Sequence, residues 1–143
     1  MLDQAFRNSL QVQPAFAQLE EHSSANKFDF STSKKFKFVG DIFVAETGSF
    51  PPVTGADELT GYSVVRINRE SGKVSDFIVH TAQTPEVIFD PNGFNKPIDV
   101  KFDDKTMLIA DFGVFEPGLN LMQPGTGKVW MVCHGLGKCS LTR

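Results

Sequence analysis

The chain of 143 residues has the length of one ordinary domain, and its 41% hydrophobic and 22% charged residues are typical of a folded protein. Fourteen basic and seventeen acidic side chains give a formal net charge of −3, which argues against a nucleic-acid partner because such proteins present a basic face. No apolar run reaches the roughly 20 residues of a membrane span, so we expect none. The first ten residues lack the apolar stretch of a signal peptide, and the localisation stays open.

The first 21 residues differ in pattern from the rest of the chain. Leu2, Phe6 and Leu10 recur at helical spacing, and Pro14 suits the first turn of a second helical stretch over residues 15–21. We therefore expect a short helical or irregular N-terminal segment.

The remainder predicts an all-β fold, because apolar alternation and Val/Ile-rich runs are separated by turn residues. We expect antiparallel strands over residues 27–30, 41–46, 62–68 and 74–80, and again over residues 97–102, 106–111 and 128–133. Residues 36–38 are a rival for the first of these strands, because Phe-Lys-Phe alternates equally well. The second group lacks a fourth strand unless the last ten residues supply it.

An internal repeat relates the two groups of strands. Residues 42–67 align without a gap on residues 107–132, at an offset of 65 positions. The aligned pairs are Ala45 and Ala110, Gly48 and Gly113, Phe50 and Phe115, Pro52 and Pro117, Val64 and Val129, with Glu46 opposite Asp111. Repeated four-stranded meanders are the blades of a β-propeller, and closed propellers hold 4–8 of them.

The predicted organisation is therefore an N-terminal segment over residues 1–21, about two propeller blades over residues 22–133, and a tail over residues 134–143. The blades cover approximately residues 22–82 and 94–133. Two blades share one interface and leave an apolar face open at each end. We expect self-association, contact with the remaining blades of a propeller, aggregation or marginal stability, and three copies of two blades would give six.

Several motifs resemble the C-terminal part of the glucose/sorbosone dehydrogenase family. In the first unit they are His22-Ser23-Ser24-Ala25, Phe28-Asp29-Phe30, Gly40-Asp41-Ile42-Phe43-Val44-Ala45 and Gly61-Tyr62-Ser63-Val64-Val65-Arg66. In the second unit they are Lys96-Pro97-Ile98-Asp99-Val100, Leu108-Ile109-Ala110-Asp111-Phe112-Gly113 and Pro124-Gly125-Thr126-Gly127-Lys128-Val129-Trp130. The likeness runs from about residue 22 to residue 132.

The resemblance implies a six-bladed propeller in the complete protein. In active members it implies pyrroloquinoline quinone bound over the propeller axis, with calcium, and oxidation of a sugar or aldehyde; such relatives are often periplasmic or secreted. Residues 46–52 contain no Arg or Lys to hold the quinone carboxylates. The family's general-base histidine lies in an earlier blade. We therefore expect a propeller fragment that is not catalytically competent alone, with a non-catalytic binding module formed by self-assembly as the alternative.

Three positions are candidates for binding or catalysis. The resemblance places His22 near the axial mouth, where it is either a catalytic candidate or a rim histidine bonded to a loop. Glu46 and Asp111 end equivalent strands and are candidate cofactor-binding residues. Paired carboxylates bind cations or act as acid and base, whereas the structural alternative is to accept backbone N–H bonds.

The tail holds the candidates for a metal site. Cys133, His134 and Cys139 offer three soft ligands within seven residues, but structural zinc sites use four ligands with tighter cysteine spacing. We expect no metal site and two free thiols; a local disulfide is the alternative in an oxidising compartment.

Overall fold

The computed structural model describes residues 13–49, 59–80, 93–116, 121–135, 138–139 and 141. In these ranges the chain is all-β, with nine strands and no helix. The strands form two main antiparallel sheets, of four and three strands, and one two-stranded hairpin. The ranges accordingly contain no helix that would be long and apolar enough to cross a membrane.

The first sheet is a meander in chain order. Its strands are β1 (Ala25–Phe30), β2 (Ile42–Glu46), β3 (Ser63–Ile67) and β4 (Val74–Val79). All four agree with the predicted strands to within two residues. The rival first strand is wrong, because residues 36–38 form no strand and Phe36 instead enters the core from a turn with 1% of its surface exposed.

The second sheet repeats this pattern with one strand fewer. It consists of β5 (Pro97–Asp103), β6 (Thr106–Asp111) and β9 (Lys128–Cys133), in that order. The hairpin of β7 (Phe115–Glu116) and β8 (Leu121–Met122) lies in the connection between β6 and β9, which the sequence predicts only as a loop. No further strand occurs in the described part of the last ten residues.

Each sheet has two faces, because successive side chains of a strand point in opposite directions. We call the face of the first sheet that carries Phe43, Ala45 and Val64 its front face, and the face that carries Val44, Val65 and Ile67 its back face. In the second sheet the repeat-equivalent front face carries Leu108, Ala110 and Val129, and the back face carries Ile109, Trp130 and Val132.

The two sheets pack with the front face of the first on the back face of the second. The core between them contains Phe43, Ala45 and Val64 from the first sheet and Val100, Met107 and Ile109 from the second, all at 0% exposure. The repeat therefore stacks its units in one direction. The front face of the second sheet stays outside this core.

Phenylalanine rings occupy the centre of the interface. The centroid of the Phe43 ring lies 4.9 Å from that of Phe77, 5.1 Å from that of Phe102 and 5.9 Å from that of Phe36. All three pairs meet edge to face, the arrangement that ring quadrupoles favour. Phe43 therefore joins β2 and β4 of one sheet to β5 of the other.

The expected N-terminal helix is not supported, because residues 13–24 contain none; residues 1–12 lie outside the described ranges. Ala17 and Leu19, two positions apart, pack against the back face of the first sheet, as in an extended segment. His22 and Ser24 have φ values of 60° and 51°, which are incompatible with a continuing right-handed helix. Contact with the sheet replaces the local helical pattern.

Replacing Phe43 by Ala tests the importance of the ring cluster. We expect the free energy of unfolding to fall by about 3–5 kcal/mol, because the change leaves a cavity at the sheet junction. Phe28→Ala is the matched control, since that side chain is 55% exposed and should change stability little. Chemical denaturation followed by circular dichroism measures both, and equal losses in the two variants would contradict the packing.

Candidate functional site

The two repeat units place a carboxylate and then a glycine at the same strand end. Glu46 ends β2 and Asp111 ends β6, and Gly48 and Gly113 follow with φ values of 91° and 89°. A Cβ at Gly48 would lie 2.7 Å from the Tyr62 ring, so the turn needs glycine for space as well as for its backbone conformation. The loops around these turns are the best candidate site, because polar and charged groups gather where the sheets meet.

Asp111 acts as a backbone clamp. Its Oδ1 accepts hydrogen bonds from the N–H groups of Lys96 and Gly113, both at 2.9 Å. Its Oδ2 accepts from the N–H of Asn95 at 2.8 Å and from Nε1 of Trp130 at 3.0 Å. Four donors, three of them backbone N–H groups, thus surround a carboxylate that is 4% exposed, as the structural alternative for Asp111 expects.

Glu46 has the equivalent position but different surroundings. Its Oε2 accepts a hydrogen bond of 2.8 Å from Ser63 Oγ, and the residue is 4% exposed. Burial raises the pKa of the Glu46 carboxyl, and the nearby negative charges of Glu20 and Asp76 raise it further, while bonds from Ser63 and Ser23 oppose the shift. The protonated form of Glu46 is therefore favoured relative to that of an exposed glutamate.

A cavity of about 540 Å³ opens beside Glu46 on the back face of the first sheet. Its polar lining includes Glu20, Glu46, Ser63, Asp76 and His80. The described lining carries three carboxylates and no Lys or Arg. Its character is therefore acidic and suited to positively charged groups.

The sequence candidates do not converge on one centre. Glu46 and Asp111 end strands of different sheets, and their hydrogen-bond donors are separate sets. His22 is exposed in the turn before β1, whereas its neighbour Ser23 is buried and accepts the Gly48 N–H through its carbonyl at 2.9 Å. The described contacts do not assemble these three residues into an acid–base pair.

Lys96 is the functional candidate that sequence reasoning missed. The residue is 4% exposed, and its ammonium lies 4.4 Å from the centroid of the Tyr62 ring, across the junction between the sheets. Burial lowers the pKa of Lys96 to about 8, while the charge of Asp111 opposes that shift. The sequence did contain a signal for this site: Lys96 directly precedes β5, and Asp111 ends the neighbouring strand β6.

A polar bridge lies near this lysine. Thr47 Oγ1 donates to the carbonyl oxygen of Pro97 at 3.0 Å and accepts from Asn26 Nδ2. Ser24, Asn26 and Thr47, together with Ile98 and Phe112, line a second cavity of about 430 Å³. The strand ends of both sheets therefore share one polar edge.

The expectation of two free thiols is wrong. Cys133 and Cys139 form a disulfide, so the end of β9 is tied to the tail. The bridge removes both thiolates from the candidate metal set and leaves His134 as its one remaining ligand. Across the described ranges no group of three or more His, Cys, Asp or Glu side chains is arranged to hold a metal ion.

No family model matches the chain, and searches of curated proteins and of solved structures found no match either.

The buried ammonium of Lys96 predicts a pH-dependent stability. Its pKa is about 8 in the folded protein and 10.5 in the unfolded chain, so the unfolded chain binds more protons at this residue between these values. The free energy of unfolding should therefore rise by about 2 kcal/mol between pH 8 and pH 10. Above pH 10 the rise should reverse, because burial raises the pKa of Tyr62 and its ionisation favours the unfolded chain.

Lys96→Met should flatten this rise, because methionine fills the space without a charge. Lys34→Met, at an exposed lysine, should leave the rise in place. Urea titrations at several pH values measure the effect. A wild-type stability that is constant from pH 8 to pH 10 would contradict the buried position of the ammonium.

Proposed function

We propose that the chain is a two-blade portion of a β-propeller and acts as an assembly module, whose second sheet docks onto the first sheet of another copy. The observation that carries the proposal is the contrast between two repeat-equivalent residues. Val64 is 0% exposed on the front face of the first sheet, whereas Val129 is 69% exposed on the front face of the second.

The rest of this front face supports the same partner. Met131 is 42% exposed beside Val129, and Phe112 is 50% exposed after the end of β6. Adjacent exposed apolar side chains of this kind mark interaction surfaces. Inside the chain, the equivalent front face is already covered by the back face of a β-sheet. A second copy has the same type of back face on its first sheet, where Ala17 and Leu19 of its own chain contact it.

Stacking of this kind is heterologous, because a front face meets a back face. Such contacts close into a ring when the rotation between successive units allows it. Three copies would supply six blades, which is the number that the resemblance to glucose/sorbosone dehydrogenases implies. The proposed function is therefore the assembly of several copies of the chain into one ring of blades.

Val129→Glu tests the docking face. We expect wild-type protein to associate with rising concentration and Val129→Glu to remain at the smaller size, because a carboxylate on this face would have to be buried at the contact. Val39→Glu is the control, since Val39 is a comparably exposed valine in a turn outside the sheets, at 41%. Sedimentation velocity measures the sizes, and identical association of all three proteins would refute the proposal.

Sugar oxidation is the second candidate function, favoured by the resemblance and by the buried cation Lys96. The contacts of Asp111 and Lys96 count against a site for a quinone with calcium at these two residues. The four donors occupy the Asp111 carboxylate, and the Lys96 ammonium faces the Tyr62 ring. No metal-binding group of acidic or soft ligands was found in the part of the chain that the structure describes.

We therefore expect no dye-linked oxidation of glucose, sorbosone or other aldoses by this chain after addition of pyrroloquinoline quinone and calcium. A family enzyme of known activity, assayed in parallel, controls for the reagents. Turnover that disappears in His22→Ala would contradict this expectation and identify His22 as catalytic. Turnover that survives this change would contradict it equally and direct attention to Lys96.

A further inference from the structure

The back face of the first sheet is covered by a different kind of element from the other buried faces. Val44, Val65 and Ile67 are 5–6% exposed, and the N-terminal segment (residues 13–20) packs on them through Ala17 and Leu19. This segment contains neither helix nor strand. Two side chains of a single extended segment thus occupy an apolar sheet face.

The equivalent face of the second sheet is covered by a whole sheet. Val44, Val65 and Ile67 correspond in the repeat to Ile109, Trp130 and Val132. Ile109 is fully buried under the front face of the first sheet, and Trp130 and Val132 pack against the same core. The N-terminal segment therefore lies where the repeat would place the front face of another sheet.

Charged groups lie beside the back face of the first sheet and on the front face of the second. Glu20 and Asp76 line the acidic cavity beside the back face of the first sheet. On the front face of the second sheet, Lys101 stands opposite Leu108 and Asp99 opposite Ala110 in the strand register. Both already have partners in the first sheet, Asp29 at 3.7 Å from Lys101 and Lys27 at 3.2 Å from Asp99. These charges therefore do not select a partner, and the choice of occupant rests on the repeat: in the other unit the equivalent back face is covered by the front face of a sheet.

We propose that the N-terminal segment is a removable cap on a docking surface, and that the occupant of this surface is the front face of the second sheet of another copy. This inference rests on the proposed assembly function and adds to it a segment of the chain that competes for the acceptor surface. With the cap in place, a copy offers only its own front face. Release of the cap exposes Val44, Val65 and Ile67 and allows front-to-back addition.

The cap sets the apparent affinity of assembly. Another copy binds only the uncapped fraction, so the apparent dissociation constant equals the intrinsic one divided by that fraction. Weakening the cap should strengthen association, although the substitution lies outside the two faces that dock in the complex. A purely structural segment would give the opposite result, with loss of stability and no gain in association.

Leu19→Asp in the full chain tests the cap. A charge at this position opposes burial on the sheet, and we expect the concentration for half-association to fall by about tenfold. Phe16→Asp is the matched control, because it adds the same charge to the same segment at a side chain that is 53% exposed. Sedimentation velocity reports association, and circular dichroism with thermal unfolding reports the fold.

Two further variants make the outcome decisive. Leu19→Ala weakens the cap without adding a charge, and keeps the test informative if Leu19→Asp does not fold. Leu19→Ala combined with Val129→Glu should return to the smaller size, because the incoming front face is then blocked. Association that survives this combination would show contact through another surface and would overturn the cap proposal.

The two proposals fail in different ways. If Val129→Glu leaves wild-type association unchanged, the docking function itself is wrong. If Val129→Glu suppresses association but folded Leu19→Asp and Leu19→Ala associate no more strongly than wild type, docking stands and the cap is wrong. Equal strengthening by Phe16→Asp would also reject a specific role of the Leu19 contact.

Discussion

The contact between the front face of one sheet and the back face of the other is the constraint on which the rest of the structure depends. Small antiparallel sheets are marginally stable in water unless one face is covered. Here the Phe43 ring packs against Phe77 of its own sheet and against Phe102 of the other sheet. The same contact brings Lys96 over Tyr62 and Thr47 to the carbonyl of Pro97. The polar edge is therefore a product of the apolar interface, since these groups belong to different sheets.

The repeat uses one backbone plan for two electrostatic tasks. At the end of β6, Asp111 binds four donors and fixes the start of its own sheet. At the end of β2, Glu46 has one more methylene, receives the Ser63 hydroxyl, and faces a cavity that other carboxylates share. Both acids are therefore buried at equivalent positions, but their neighbours differ. Hydrogen-bond donors surround Asp111, whereas burial and nearby carboxylates raise the pKa of Glu46.

The sequence predicts the strands well, because the alternation of apolar and polar residues is a local pattern that the folded sheets retain. The 65-position repeat then marks the equivalent strands of the two units. It fails where a residue's state depends on distant partners. Phe36 alternates like a strand residue but enters the core from a turn, and Leu19 follows the sheet beneath it instead of a helical pattern. The Cys133–Cys139 bridge and the burial of Lys96 likewise depend on contacts that a linear pattern does not contain.

Front-to-back stacking also bears on how such a protein can change in length. In the proposed assembly each unit carries both halves of the same interface, so copying one stretch of 65 residues within a gene would supply a new sheet together with the surface that accepts the next. A two-fold interface would instead be complete in a dimer and would leave no face for a third unit. In that assembly the number of sheets could grow by tandem duplication without a new kind of contact, and the two front faces already differ in size at the repeat-equivalent pair Phe43 and Leu108.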